Sequence, residues 1–213
     1  MPAPSDARTR RPLSALTLAV SAYYALWACA PAATMRPMTL DLDRPNEFGV
    51  AASATEALGA EDTRGCLSAP LQCQGGFDGQ LWYQHRFNQR FTLGGTVFGG
   101  QTSLVGAGVL LRFHWVELDR FRFGTDLEAG FLWGAVGLPA SVRLVDDLWL
   151  YTNPSVGVRF VEGARLPLGL AWGATDNLWI QAEVAYGFDL LYVSEAPLTT
   201  DMLTGAVSGS WRF

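Results

Sequence analysis

The 213-residue sequence predicts an all-β fold: an antiparallel up-and-down transmembrane β-barrel of about ten strands, with eight as the alternative count. Three observations carry that expectation. Apolar and polar residues alternate with period 2 over stretches of about 9 to 13 residues, long enough for a tilted strand to cross a bilayer. Charged residues make up 16% of the chain, below the ~25% of soluble domains, yet beyond the N-terminal region no run of about 18 apolar residues escapes interruption by Gly or Pro. The chain closes on "TGAVSGSWRF", an alternating segment that ends on Phe213.

Residues 1–29 read as a secretory signal. Arg8, Arg10 and Arg11 form its basic part, "LSALTLAVSAYYALWA" its apolar part, and "CAPAA" offers small residues for cleavage. Two processing routes fit: "LWAC" resembles a lipobox with lipidation at Cys29, and Ala30-Pro31-Ala32 suits ordinary signal peptidase. The Pro-rich stretch 30–45, "APAATMRPMTLDLDRP", is expected to be a periplasmic tether, and residues 46–213 the barrel.

Strands are expected at 46–57, 76–87, 90–99, 104–115, 120–133, 138–145, 148–160, 165–174, 178–192 and 202–213. A short repeat punctuates them. "NQRFTL" from Asn88, "LDRFRF" from Leu118, "VDDLWL" from Val145 and "TDNLWI" from Thr175 each set a polar turn before an aromatic strand start. With both termini in the periplasm these become periplasmic turns, and the segment with Cys66 and Cys73 becomes the first and longest surface loop. Loop residues 58–75 are then the first place to look for recognition of a surface ligand, whose identity the sequence leaves open.

Parity assigns faces. Leu203, Val207, Trp211 and Phe213 share one face with Ile180, Val184, Tyr186 and Phe188 of the strand before. Val109, Leu111, Phe113 and Trp115, then Phe121, Phe123, Leu127, Phe131 and Trp133, repeat it. The other face holds a charge network of Arg86, Arg112, Arg122, Asp126, Glu128, Arg143, Arg159, Glu183, Asp189 and Arg212. Burying those charges singly is costly, so Arg–carboxylate pairs across a filled lumen are expected.

Cys66 and Cys73 form an even pair suited to a disulfide in an oxidising compartment; two free thiols are the alternative. Neither His85 nor His114 lies near the pair in sequence, which disfavours zinc. No nucleophile and base stand at a catalytic spacing, and "GGTVFGG" and "VGAGV" match no phosphate-binding loop. No catalytic residue, metal or cofactor is therefore expected. The net charge of −5 argues against nucleic-acid binding. All 15 basic residues are arginine.

The alternating strands and the terminal "VSGSWRF" resemble the small bacterial outer-membrane β-barrel proteins, the group that includes outer membrane protein A-like and porin-like barrels. That resemblance spans about residues 46–213. It implies a Gram-negative outer-membrane location, contact with outer-membrane lipid, and use of Trp211 and Phe213 as the signal read by the barrel-assembly machinery. The role it leaves foremost is structural or surface-interactive, with a narrow porin for small solutes as the alternative and a barrel enzyme behind both.

Overall fold

The computed structural model describes residues 35–58, 76–101, 105–130, 133–159, 162–193 and 196–213. Strands follow one another as an antiparallel meander: β1 (Asn46–Leu58), β2 (Gly76–Asn88), β3 (Phe91–Gly100), β4 (Gly106–Glu117), β5 (Phe121–Gly130), β6 (Trp133–Gly137), β7 (Ala140–Val145), β8 (Leu148–Thr152), β9 (Ser155–Arg159), β10 (Glu162–Gly173), β11 (Leu178–Val193) and β12 (Ala196–Arg212). β12 pairs with both β11 and β1, from Glu47 opposite Arg212 to Leu58 opposite Asp201, and so closes the sheet on itself.

Among the described residues the twelve segments make ten staves. β5 pairs with β6 at one end and β7 at the other, and β10 likewise spans β9 and β8. Each broken stave is interrupted by a proline, Pro139 or Pro154, which lacks the N–H a central strand needs. The two breaks are adjacent, and Leu138 N donates to Pro154 O across them at 2.9 Å.

The expected strand 120–133 is corrected to Phe121–Gly130, with the next stave opening at Trp133 rather than at 138. Gly130 pairs directly with Trp133, so parity restarts there. Trp133, expected on the outward face, is instead 8% exposed and set edge-on against Phe98 at 6.1 Å between ring centroids. Phe131 lies outside the described residues. β10 begins earlier than expected, and β12 opens at Ala196 rather than 202.

Turns 89–90, 118–120, 146–147 and 174–177 lie at one rim, with Asn46 and Arg212. β-bulges sit at this rim beside Arg86/Asn88, His114/Val116 and Arg143/Val145. Elsewhere alternation holds: Val50, Leu81, Val97, Val109, Leu168, Val184 and Val207 are exposed, while their chain neighbours point inward. An aliphatic belt on every side of a closed barrel is far more than a water-soluble surface tolerates, and it matches hydrocarbon. The protein is a transmembrane β-barrel.

Candidate functional site

The inward face is polar at the short-turn end and mixed above it. Alternation turns Arg112 and Asp126 inward from neighbouring strands, where they are cross-strand partners. Arg112 Nε and Nη2 donate to Asp126 Oδ1 and Oδ2 at 2.7 and 2.8 Å, the bidentate geometry that suits a guanidinium. Asn153 adds a third bond, Nδ2 to Asp126 Oδ2 at 3.0 Å. Gly137 makes room for it: a Cβ there would stand 2.4 Å from Asn153 Oδ1.

Residues 30–45 were expected to form a tether outside the barrel, and the described part of that stretch does otherwise. Met35, Arg36, Pro37, Met38, Thr39 and Leu40 are all buried, and Met35 is 0% exposed. The segment enters from the short-turn rim at Pro45, whose carbonyl accepts from Arg86 N, and runs up the lumen. Its backbone carbonyls are acceptors for inward arginines. Arg112 Nη2 donates to Arg36 O at 2.8 Å and Nη1 to Pro37 O at 3.2 Å. Arg122 Nη1 reaches Met38 O at 3.3 Å, Arg212 Nη1 reaches Thr39 O at 2.9 Å, and Arg86 Nη1 bonds Leu40 O. Barrel side chains hold the segment's donors too: Met35 N bonds Glu183 Oε2 and Met38 N bonds Ser141 Oγ, both at 3.1 Å.

Pro37 removes an N–H group that a non-helical, non-sheet segment in a closed interior would otherwise have to satisfy. The segment also brings charge. Arg36 pairs with Glu128 at 2.7 Å with both groups buried, and Asp41 pairs with Arg122 at 2.6 Å near the rim.

Aromatic rings also face the lumen. Trp82 lies over Gly49 of the neighbouring strand, where a Cβ would come 2.1 Å from its ring. Trp149 faces Arg122 and Arg143 at 5.0 and 4.9 Å, and Arg212 sits 3.7 Å over Trp179, each a cation–π arrangement.

Of the residues expected in the charge network, Arg86, Arg112, Arg122, Asp126, Glu128, Glu183 and Arg212 are buried and inward. Arg86 pairs with Glu117, Arg212 lies 3.5 Å from Glu47, and Glu183 lies 3.5 Å from Arg165. Arg143 sits at the rim, a third exposed, 3.6 Å from the exposed Asp119. The side chains of Arg159 and Asp189 lie outside the described residues, as do Cys29, Cys66 and Cys73. Arg36, Asp41, Glu47, Glu117 and Arg165 join the network without having been singled out. Glu47 was legible by parity, since it follows the start of β1 on the face of Ala51 and Ser53.

His114 is inward, its Nε2 2.9 Å from Thr92 Oγ1, and His85 Nδ1 lies 2.9 Å from Asn46 Oδ1. Trp211 and Phe213 are exposed on the outer face at the seam, and Phe213 exchanges two 3.1 Å backbone bonds with Asn46. Among the described residues no group of three or more His, Cys, Asp or Glu could hold a metal ion.

No protein-family model and no curated protein sequence matches the chain. Solved structures share the barrel. The KdgM porin is 14% identical with a TM-score of 0.46, over 78% of this chain and 99% of that one. The outer membrane protease OmpT from Escherichia coli is 8% identical, TM-score 0.44, over 84% and 99%. The CymD monoaromatic hydrocarbon channel is 10% identical, TM-score 0.43, over 65% of this chain, which spans about half (52%) of CymD. These are likenesses of fold, and no ligand or activity is carried across by them.

Proposed function

We propose that this outer-membrane barrel has a structural or surface-interaction role and that its lumen is closed by its own segment 35–42. The observation that carries the reading is the match between Arg86, Arg112, Arg122 and Arg212 and the carbonyls of Arg36 to Leu40. A solute entering from the short-turn rim would have to displace those bonds together with the Arg36–Glu128 and Arg122–Asp41 pairs. Buried polar groups stripped of partners cost about 1–3 kcal/mol each, so partial displacement is unfavourable. The partners of such a protein are outer-membrane lipid and a surface ligand met by the loops opposite the short turns.

The second reading is a narrow porin. It draws on the same segment, which is held by side-chain bonds and not by strand pairing, so its withdrawal would open a polar path. Single-channel conductance in a planar bilayer separates the two. The refolded full chain is expected to be silent and a chain lacking residues 35–42 to show openings. Steady openings from the full chain would overturn the closed-lumen reading in favour of the porin.

A further inference from the structure

The short-turn half of the lumen presents guanidinium donors, and the lumen segment meets them with oxygen after oxygen. Among the described residues seven such bonds run from the wall to residues 36–41. Arg86 gives one, to Leu40 O, and Arg112 gives two, to Arg36 O and Pro37 O. Arg122 gives two, to Met38 O and Asp41 Oδ1, and Arg212 gives two, to Thr39 O and Thr39 Oγ1. The acceptors are five carbonyls, one hydroxyl and one carboxylate.

The wall does not balance these cations by itself. Arg86, Arg112 and Arg212 each have a wall carboxylate beside them, from Glu117, Asp126 and Glu47. Arg122 differs. Its 2.6 Å partner is Asp41 of the segment, and its buried Nε has no hydrogen-bond acceptor, lying 3.8 Å from Glu117 Oε1. Arg143, 3.6 Å from the exposed Asp119, comes to the same place, since both guanidiniums lie over the Trp149 ring, at 5.0 and 4.9 Å. Two like charges on one ring repel, and an anion beside them relieves it. Asp41 supplies that charge to Arg122 while remaining 55% exposed, so the pair is within reach of a solute at the rim.

We propose, resting on the closed-lumen reading, that this half of the lumen is a binding site for a multivalent oxyanion, a chain of carboxylate or phosphate groups, and that segment 35–42 fills it as a built-in competitor. A guanidinium fork matches carboxylate and phosphate oxygens in its own plane, and its bonds to an ionised acceptor are about twice as strong as those to a neutral one. An oxyanion therefore gains on the five carbonyls, where a neutral solute does not and a cation is repelled. Exchange begins at the mouth, with the Asp41 carboxylate leaving Arg122, and continues inward through Met38 O and Thr39 O. The Arg36–Glu128 pair lies further in and stays intact while residues 38–41 leave. Residues 37–43 hold two acids and no base, so the incoming charge also keeps them out.

Inorganic tripolyphosphate is the phosphate probe and tricarballylate its carboxylate counterpart. The folded full chain in detergent is placed in deuterated buffer, and exchange into the stretch 37–42 is followed by mass spectrometry. At least one probe is expected to speed that exchange several-fold over sodium chloride at equal ionic strength, and spermidine to leave it at the chloride level. A response to one probe alone assigns the anionic group. Asp41→Asn removes the competing carboxylate and keeps every arginine, so half-effect is expected at a several-fold lower probe concentration. Arg122→Gln is expected to abolish the difference between probe and chloride. Both probes acting no more than chloride, or spermidine acting equally, would overturn the proposal. Should Asp41→Asn exchange freely from the start, equilibrium dialysis against labelled tripolyphosphate and tricarballylate decides: binding lost in Arg122→Gln supports the site, and binding of neither overturns it. A full chain that conducts without any probe would refute the closed lumen alone; the site is then read from ion permeability, and a preference for cations would overturn it.

Discussion

Arg112 holds Asp126 with two hydrogen bonds, at 2.7 and 2.8 Å, and with its other donors holds the carbonyls of Arg36 and Pro37. One guanidinium thus ties β4, β5 and the lumen segment together, with 1% exposure. Removing one partner of a buried pair strands the other, at about 3–5 kcal/mol, whereas removing both can be close to neutral. Arg112→Leu is expected to lower the midpoint of the heat-induced mobility shift on gels of unboiled protein. Arg112→Leu with Asp126→Leu should recover part of that loss. A double variant no better than the single would mean that the bonds to Arg36 and Pro37, and not the ion pair, dominate.

Two glycines of one sheet should respond oppositely to one added methyl group. At Gly49 a Cβ would sit 2.1 Å from the Trp82 ring, while at Gly205 nothing lies within 4 Å. Gly49→Ala must displace the Trp82 ring, an overpacking cost of about 1–3 kcal/mol. Gly205→Ala should be neutral or slightly stabilising, because it also restricts the unfolded chain. Urea midpoints in detergent micelles compare the two directly. Equal midpoints would show that Trp82 has room to move.

These positions show what the sequence made legible. Period-2 alternation placed Arg112 and Asp126 on one face because lipid selects aliphatic residues on the other, and no long-range information is needed for that. The turn before Trp133 was missed because "GFLWGAVG" puts its apolar residues where a turn signal was sought and its glycines inside the strand that follows. The lumen segment was missed for a different reason. "MRPMTLDLDRP" has no period, and its burial depends on carbonyls meeting Arg86, Arg112, Arg122 and Arg212, residues up to 173 positions away. One clue was available: those arginines gather towards the short-turn rim, where the expected network offers fewer acids than bases, so further acceptors had to come from elsewhere.

Cys66 and Cys73 are expected to be oxidised together in exported protein. Seven positions apart, they close a short loop between β1 and β2 in a compartment that favours disulfides. Alkylation of unreduced, heat-unfolded protein followed by mass measurement should find neither thiol modified, and both after reduction. Modification without reductant would make them free thiols and leave that loop without a crosslink.

Phe213 combines two roles that one pair of measurements separates. Its backbone N–H and carbonyl bond Asn46 O and N, each at 3.1 Å, at the seam where β12 meets β1, and its ring points outward to lipid beside Trp211. Below it the seam is paired for twelve positions, Glu47 with Arg212 through Leu58 with Asp201. Deleting Phe213 therefore removes three bonds, the two backbone ones and that from Asn46 Nδ2 to its carbonyl, of about 0.5–1.5 kcal/mol each from a seam that otherwise persists. Refolded in detergent, the shortened chain should lose only that much stability. In cells, if Trp211 and Phe213 are the signal for barrel assembly, outer-membrane yield should fall well beyond what so small a loss produces. Yields falling only in step with stability would confine Phe213 to closing the seam.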